Sequence, residues 1–173
     1  MNLNSLLKSF SSFLRDKNRN LNIEQIISYR GDYRNWEEAI KYSKGYQDSE
    51  IVKKATKSFK EILSGKYKCE RDTFLFKDYQ YSLPLILGLN FVQNKVGKIR
   101  LLDFGGSFAS CYFRNLDILQ EFDLDWIVIE QSEIVQNARK LMKGYDNVVF
   151  FDDTEVEKLA SEQSYNVVLF GSS

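Results

Sequence analysis

Four apolar runs punctuate the second half of the chain: Ile99 to Leu102, Trp126 to Ile129, Asn147 to Phe151 and Asn166 to Phe170. Each is short, rich in branched and aromatic residues, and therefore reads as a buried strand. Helical spacing fills the gaps. Phe108 to Gln120 predicts one helix. Ser132 caps a second, with Ile134, Val135, Ala138, Leu141 and Met142 on its inner face and Gly144 at its end. Thr154 to Glu162 predicts a third. Strands alternating with helices give an α/β fold with a Rossmann-like parallel sheet and right-handed crossovers.

The first half is helical by the same reading. Leu3, Leu6, Leu7, Phe10, Phe13 and Leu14 recur at three- and four-residue spacing, which makes residues 3–16 an amphipathic helix. With Lys17 and Arg19 nearby, weak peripheral membrane contact is one reading, and docking on the protein itself is the favoured one. Asp16 to Asn22 is polar and reads as a loop, and Arg30 to Arg34 as a turn. Asn35 and Glu38 have capping-box spacing ahead of Trp36, Ala39 and Ile40, with Gly45 as the stop. Asp48 caps a further helix with the stripe Ile51, Val52, Ala55, Phe59, Ile62 and Leu63, ended by Gly65. Cys69-Glu70-Arg71-Asp72 is a dense charged cluster, either a substrate-facing ion-pair network or, more commonly, a solvated loop. Pro84, the only proline, fits a first helical turn, and the apolar run through Val92 predicts a well-buried helix. The chain thus divides into an N-terminal helical cap or lid, 1–97, and a Rossmann-like part, 98–173.

Composition narrows the chemistry. The 24 basic and 24 acidic residues cancel, so no global field favours nucleic acid or an anionic membrane. No apolar run has the length of a membrane span. The 173 residues contain no histidine, which excludes Ser-His-Asp and Cys-His catalysis and histidine-ligated metals, and no metal site is expected. The two cysteines, Cys69 and Cys111, read as reduced thiols of a cytoplasmic protein, Cys111 as a buried one.

Candidate chemistry gathers where the first strand ends, in Leu102-Asp103-Phe104-Gly105-Gly106-Ser107. Gly105 and Gly106 permit a tight turn and a close approach of ligand to backbone. The following helix would aim free N–H groups at the same spot. Asp103 stands just before the glycines, a position that suits a cationic group such as the amine of S-adenosylmethionine better than a diphosphate. Glu130, at the tip of the second strand, is placed to accept from both ribose hydroxyls. The alternative is a plain tight turn and a solvated strand end. At the third strand's tip, Asp152 with Phe151 would hold an adenine, or Asp152 would simply cap the next helix. Ser172 follows the fourth strand.

Taken together, Gly31-Asp32-Tyr33 with Trp36 and Ala39, Ser43-Lys44-Gly45-Tyr46, Glu70-Arg71-Asp72, Leu102 to Ser107 and Glu130-Gln131 resemble class I S-adenosylmethionine-dependent methyltransferases. The closest resemblance is to a methyltransferase family often encoded with bacterial surface-polysaccharide genes. It implies that Asp103, Gly105, Gly106 and Ser107 hold the methionine end of S-adenosylmethionine, that Glu130 holds the ribose, and that Gln131 is a further cofactor-binding residue. Ser107 and Ala109 stand where that class usually has later glycines. The implied strand order 3-2-1-4 leaves Val167 to Phe170 as an exposed apolar edge, an expected site of oligomerisation. The class I sheet normally continues with three more strands, so the resemblance implies a C-terminally truncated fold.

The expectation is therefore methyl transfer to a small molecule or sugar, in keeping with polysaccharide biosynthesis, with Tyr81 and Ser172 on the acceptor side and no assigned general base. The alternative is an inactive remnant that serves as a cofactor-binding or interaction subunit. A nicotinamide-dependent enzyme is disfavoured by Asp103 and the glycine spacing.

Overall fold

A computed structural model describes residues 31–42, 49–157, 159 and 164–170. The chain divides into two compact units, residues 1–43 and 44–173. In the first, Asn35 caps helix α1 (Trp36–Lys41), its side chain accepting from Glu38 N at 2.9 Å. The Glu38 carboxylate returns to Arg34 N rather than to the cap residue itself. No residue of α1 is buried, and Trp36 is 74% exposed, so the expected inner face of Trp36, Ala39 and Ile40 is not formed by burial. Residues 3–16, Gly45 and Asp48 lie outside the described residues.

The second unit contains α2 (Ser49–Leu63), a two-stranded ribbon of β1 (Cys69–Arg71) and β2 (Phe74–Phe76), and α3 (Leu83–Val96). There follow β3 (Ile99–Phe104), α4 (Ser110–Arg114), α5 (Leu116–Leu119), β4 (Leu124–Ile129), α6 (Ser132–Leu141), β5 (Val148–Phe151), a 3-10 turn at Asp153–Glu155 and β6 (Val167–Phe170). The four long strands form a parallel sheet in the order β5-β4-β3-β6. This is a Rossmann-like α/β arrangement in the predicted order.

Side-chain alternation splits the sheet into two faces. Ile99, Leu101, Trp126, Val128, Val148 and Phe150 join Val52, Phe59 and Ile62 of α2, Leu89 of α3, and Ile134, Val135 and Ala138 of α6 in the large core. Ile127 and Ile129, with Leu102, Phe104 and Phe151, meet Leu159, Val156 and Tyr165 on the other face. The described residues Val156, Leu159 and Tyr165 between β5 and β6 thus lie on the opposite face. Because α2 and α3 share the large core, the ribbon and both helices belong to the sheet's unit.

Three local expectations need correction. The helix over Phe108 to Gln120 starts only at Ser110 and is broken at Asn115, whose φ of −122° interrupts α4 and α5. Its late start follows from Ser107 and Ala109, which adopt left-handed φ values of 52° and 58°. Second, α3 is apolar nearly all round but buries only Ile86 and Leu89, leaving Leu87 68% and Phe91 63% exposed. Third, the charged cluster at Cys69 to Asp72 is a strand and turn rather than a solvated loop. The predicted edge is present: β6 pairs with β3 alone among the described strands, and its side chains alternate between half-buried Val167 and Leu169 and exposed Val168 and Phe170. No helix among the described residues is long and apolar enough to cross a membrane.

Candidate functional site

A cleft of about 380 Å³ opens at the carboxyl ends of β3 and β4. Gly105, Gly106 and Ser107 form one part of its wall, with Asp103, Glu130 and Gln131. Helix α2 contributes Ile51, Lys54 and Ala55, one helical face. The ribbon's turn contributes Glu70 to Thr73, and α4 contributes Ser110, Cys111 and Arg114.

Asp103 and Glu130 reach this cleft differently. Asp103 belongs to the same sheet face as Leu101, which is in register with Trp126. The indole Nε1 of Trp126 donates to Asp103 Oδ2 at 3.0 Å, while Oδ1 is buried with no hydrogen-bond partner. Burial pushes the Asp103 carboxyl up to about 7; the Trp126 bond opposes this and the Glu130 charge adds to it. Gly106 lies directly over the carboxylate: a Cβ there would come within 2.6 Å of Asp103 Cγ. Asp103 is therefore sealed into the wall beneath the turn, with no exposed surface, instead of standing free in the cleft.

Glu130 is half-buried. Its Oε1 accepts from Ser107 N at 3.3 Å and its Oε2 from Gln131 N at 2.6 Å. A carboxylate offers about four lone-pair sites, so two bonds leave accepting capacity. The left-handed φ values at Gly105 (69°), Ser107 and Ala109, alternating with Gly106 and Phe108, turn the chain so that Ser107 N meets this carboxylate. The short α4 begins beyond the turn, so the expected row of free helix N–H groups at Gly105-Gly106 is replaced by these backbone bonds.

The other expected residues are scattered. Asp152 accepts from Thr154 N and Oγ1 and from Ser132 Oγ, forming a capping box with Glu155. Those bonds, Thr154 first, hold its carboxyl below the usual range. Its capping role is the one seen, and neither Asp152 nor Phe151 lines the cleft. Phe151 joins the smaller core cluster. The Tyr81 hydroxyl donates to Asp117 Oδ2 at 2.6 Å outside the cleft; burial, then the Asp117 carboxylate, push its pKa up. Ser172 lies outside the described residues. Among the described residues no cluster of His, Cys, Asp or Glu is arranged to hold a metal ion.

Glu70 belongs to the charged cluster that the sequence left between a substrate-facing network and a solvated loop, and Lys54 and Arg114 are cleft residues that sequence reasoning did not single out. Glu70 is 8% exposed, accepts from Thr73 N at 2.7 Å, and takes a close hydrogen bond from Ser110 Oγ. The turn it braces places Asp72 and Thr73 both at positive φ, 52° and 68°, the backbone of a two-residue hairpin. Ser58 Oγ holds the other side of that turn through Thr73 O at 3.0 Å. The apolar run Phe74-Leu75-Phe76 fits a short strand, but a turn without glycine or asparagine hid the hairpin.

Comparison with known protein families, curated proteins and solved structures finds no match.

Proposed function

We propose that this cleft binds S-adenosylmethionine and that the chain transfers its methyl group to a small molecule or sugar. One observation carries the reading: carboxylates from the ends of two adjacent parallel strands flank a single glycine turn, and one of them, the half-buried Glu130, keeps accepting capacity on the cleft wall.

The residues fit that cofactor by their chemistry. Bound there, it supplies an electrophilic methyl on sulfur, so the chain's task is binding, alignment and exclusion of water. Glu130 retains lone pairs for a pair of ribose hydroxyls while its backbone bonds fix its orientation. Above about pH 7, where it ionises, Asp103 places negative charge under the turn and draws a cationic ligand toward Gly106. Gln131 and Ser107 flank Glu130 on the cleft wall. Ile51, Ala55 and Ile134 supply apolar surface against which a ring or methylene chain loses water.

Calorimetry with S-adenosylmethionine tests this. The wild-type chain should bind it, and Glu130→Ala, shown folded by circular dichroism, should bind at least tenfold more weakly, as about 1.5–3 kcal/mol per charged hydrogen bond implies. Equal binding by the variant, or none by the wild type, would remove the assignment. Binding without methyl transfer to any of a panel of sugars would instead support a cofactor-binding or interaction subunit.

A further inference from the structure

The charges lining the cleft do not balance among themselves. Its four carboxylates are engaged: Glu70 by Ser110 and Thr73, Asp72 by Arg71 at 3.8 Å, Asp103 by Trp126, and Glu130 by two backbone N–H groups. Of its three cations, Arg71 has Asp72. Lys54 and Arg114 make no ion pair among the described residues.

Arg114 is the more constrained of these two. It is half-buried, and its Nε donates to Gln80 O at 3.1 Å, which fixes the plane of the guanidinium. It stands four residues after Ser110 and three after Cys111, on the one face of α4 that lines the cleft. The Cys111 thiol is pushed up chiefly by burial, with Asp103 adding to the rise and the adjacent Arg114 opposing it. Lys54 stands exposed on α2, one turn along from Ile51 at the rim. A held guanidinium with unsatisfied charge is suited to a planar, bidentate anion, and a lysine at the rim adds a mobile second charge.

We infer that Arg114, assisted by Lys54, is a subsite for the anionic end of the molecule bound in this cleft, a carboxylate or phosphate. The cleft then holds two cations without a carboxylate partner among the described residues, alongside the carboxylates of the strand tips. Two sources carry that chemistry. One is the α-carboxylate of the cofactor, which rests on the function proposed above. The other is an acidic group on the acceptor.

The experiment uses calorimetry on the wild type, Arg114→Gln and Lys54→Met. The probes are S-adenosylhomocysteine, 5′-methylthioadenosine, which lacks the amino-acid end, and inorganic phosphate. If the cofactor is the source, the wild type prefers S-adenosylhomocysteine at least tenfold. Arg114→Gln then abolishes that preference while binding 5′-methylthioadenosine as before. If the acceptor is the source, the preference survives, and phosphate binding to the S-adenosylhomocysteine-saturated protein falls at least tenfold in both variants. Preference and phosphate binding unchanged in both variants would overturn the subsite. Lys54→Met alters an exposed side chain, so it decides the matter if Arg114→Gln fails to fold. The cofactor reading fails separately if neither adenosyl compound binds the wild type. In that event phosphate binding to the ligand-free protein, lost in the variants, still supports the subsite, and phosphate binding equal across all three proteins overturns it.

Discussion

The indole of Trp126 donates to the Asp103 carboxylate at 3.0 Å, and neither side chain has any exposed surface. Trp126 sits mid-strand in β4 and Asp103 near the end of β3, on the same sheet face. A charged group is thereby placed inside the large core at the base of the candidate site. One neutral hydrogen bond does not compensate a full charge there, which is why burial dominates and the carboxyl is raised from 3.8 to about 7.

The sign of the resulting pH dependence follows. Between about pH 4 and 7 the folded protein keeps the Asp103 proton and the unfolded chain has released it. Stability contributed by this group therefore declines as pH rises through that window and is level above it. Asp103→Asn, which keeps an acceptor for Trp126, should flatten that decline and raise the urea midpoint at pH 8. Urea titrations of both proteins at pH 5 and 8 check this; parallel pH profiles would refute it.

Gly106→Ala should destabilise the protein by about 1–3 kcal/mol, because its Cβ would collide with the Asp103 carboxylate. The two positions should couple. In an Asp103→Ala background the cost of Gly106→Ala should shrink, a departure from additivity measurable in a double-mutant cycle.

Thr73 is β-branched and held at φ 68° beside Asp72 at 52°. A left-handed conformation costs a non-glycine residue about 1–2 kcal/mol, and an Asp-Gly pair suits this turn. Thr73→Gly should therefore stabilise the protein by about 1 kcal/mol and keep the Ser58 and Glu70 bonds, both of which are to its backbone. A lowered thermal midpoint would contradict this account of the turn.

Asn115 is fully buried and ties two segments together. Its Oδ1 accepts from Ser82 N at 2.8 Å, at the start of α3, and its Nδ2 donates to Cys111 O at 2.7 Å. Asn115→Ala strands both backbone groups and should cost about 2 kcal/mol or more. Amide exchange at Ser82 should accelerate in the variant, a readout that a general loss of packing would not confine to that residue.

The amino-acid pattern alone determined the four strands of the parallel sheet and their order of appearance, the capping of α1 by Asn35, the proline in the first turn of α3, and the placement of Asp103, Glu130 and Asp152 at strand ends. These features rest on local physics: side-chain periodicity, caps and glycine turns are set within a few residues of one another. Tertiary structure alone decided which of those carboxylates share a cleft. Asp152 is consumed by its own cap, and Asp103 is drawn inward by a tryptophan 23 residues away. Glu130 is fixed by backbone N–H groups, one of them across the turn from β3. The same holds for Glu70 and Arg114. The sequence left Glu70 between a substrate-facing cluster and a solvated loop and did not single out Arg114, and each lines the cleft only because long-range packing folds the ribbon and α4 against one another. Burial, and with it the chemistry of a charged group, depends on neighbours that the chain brings together from far apart.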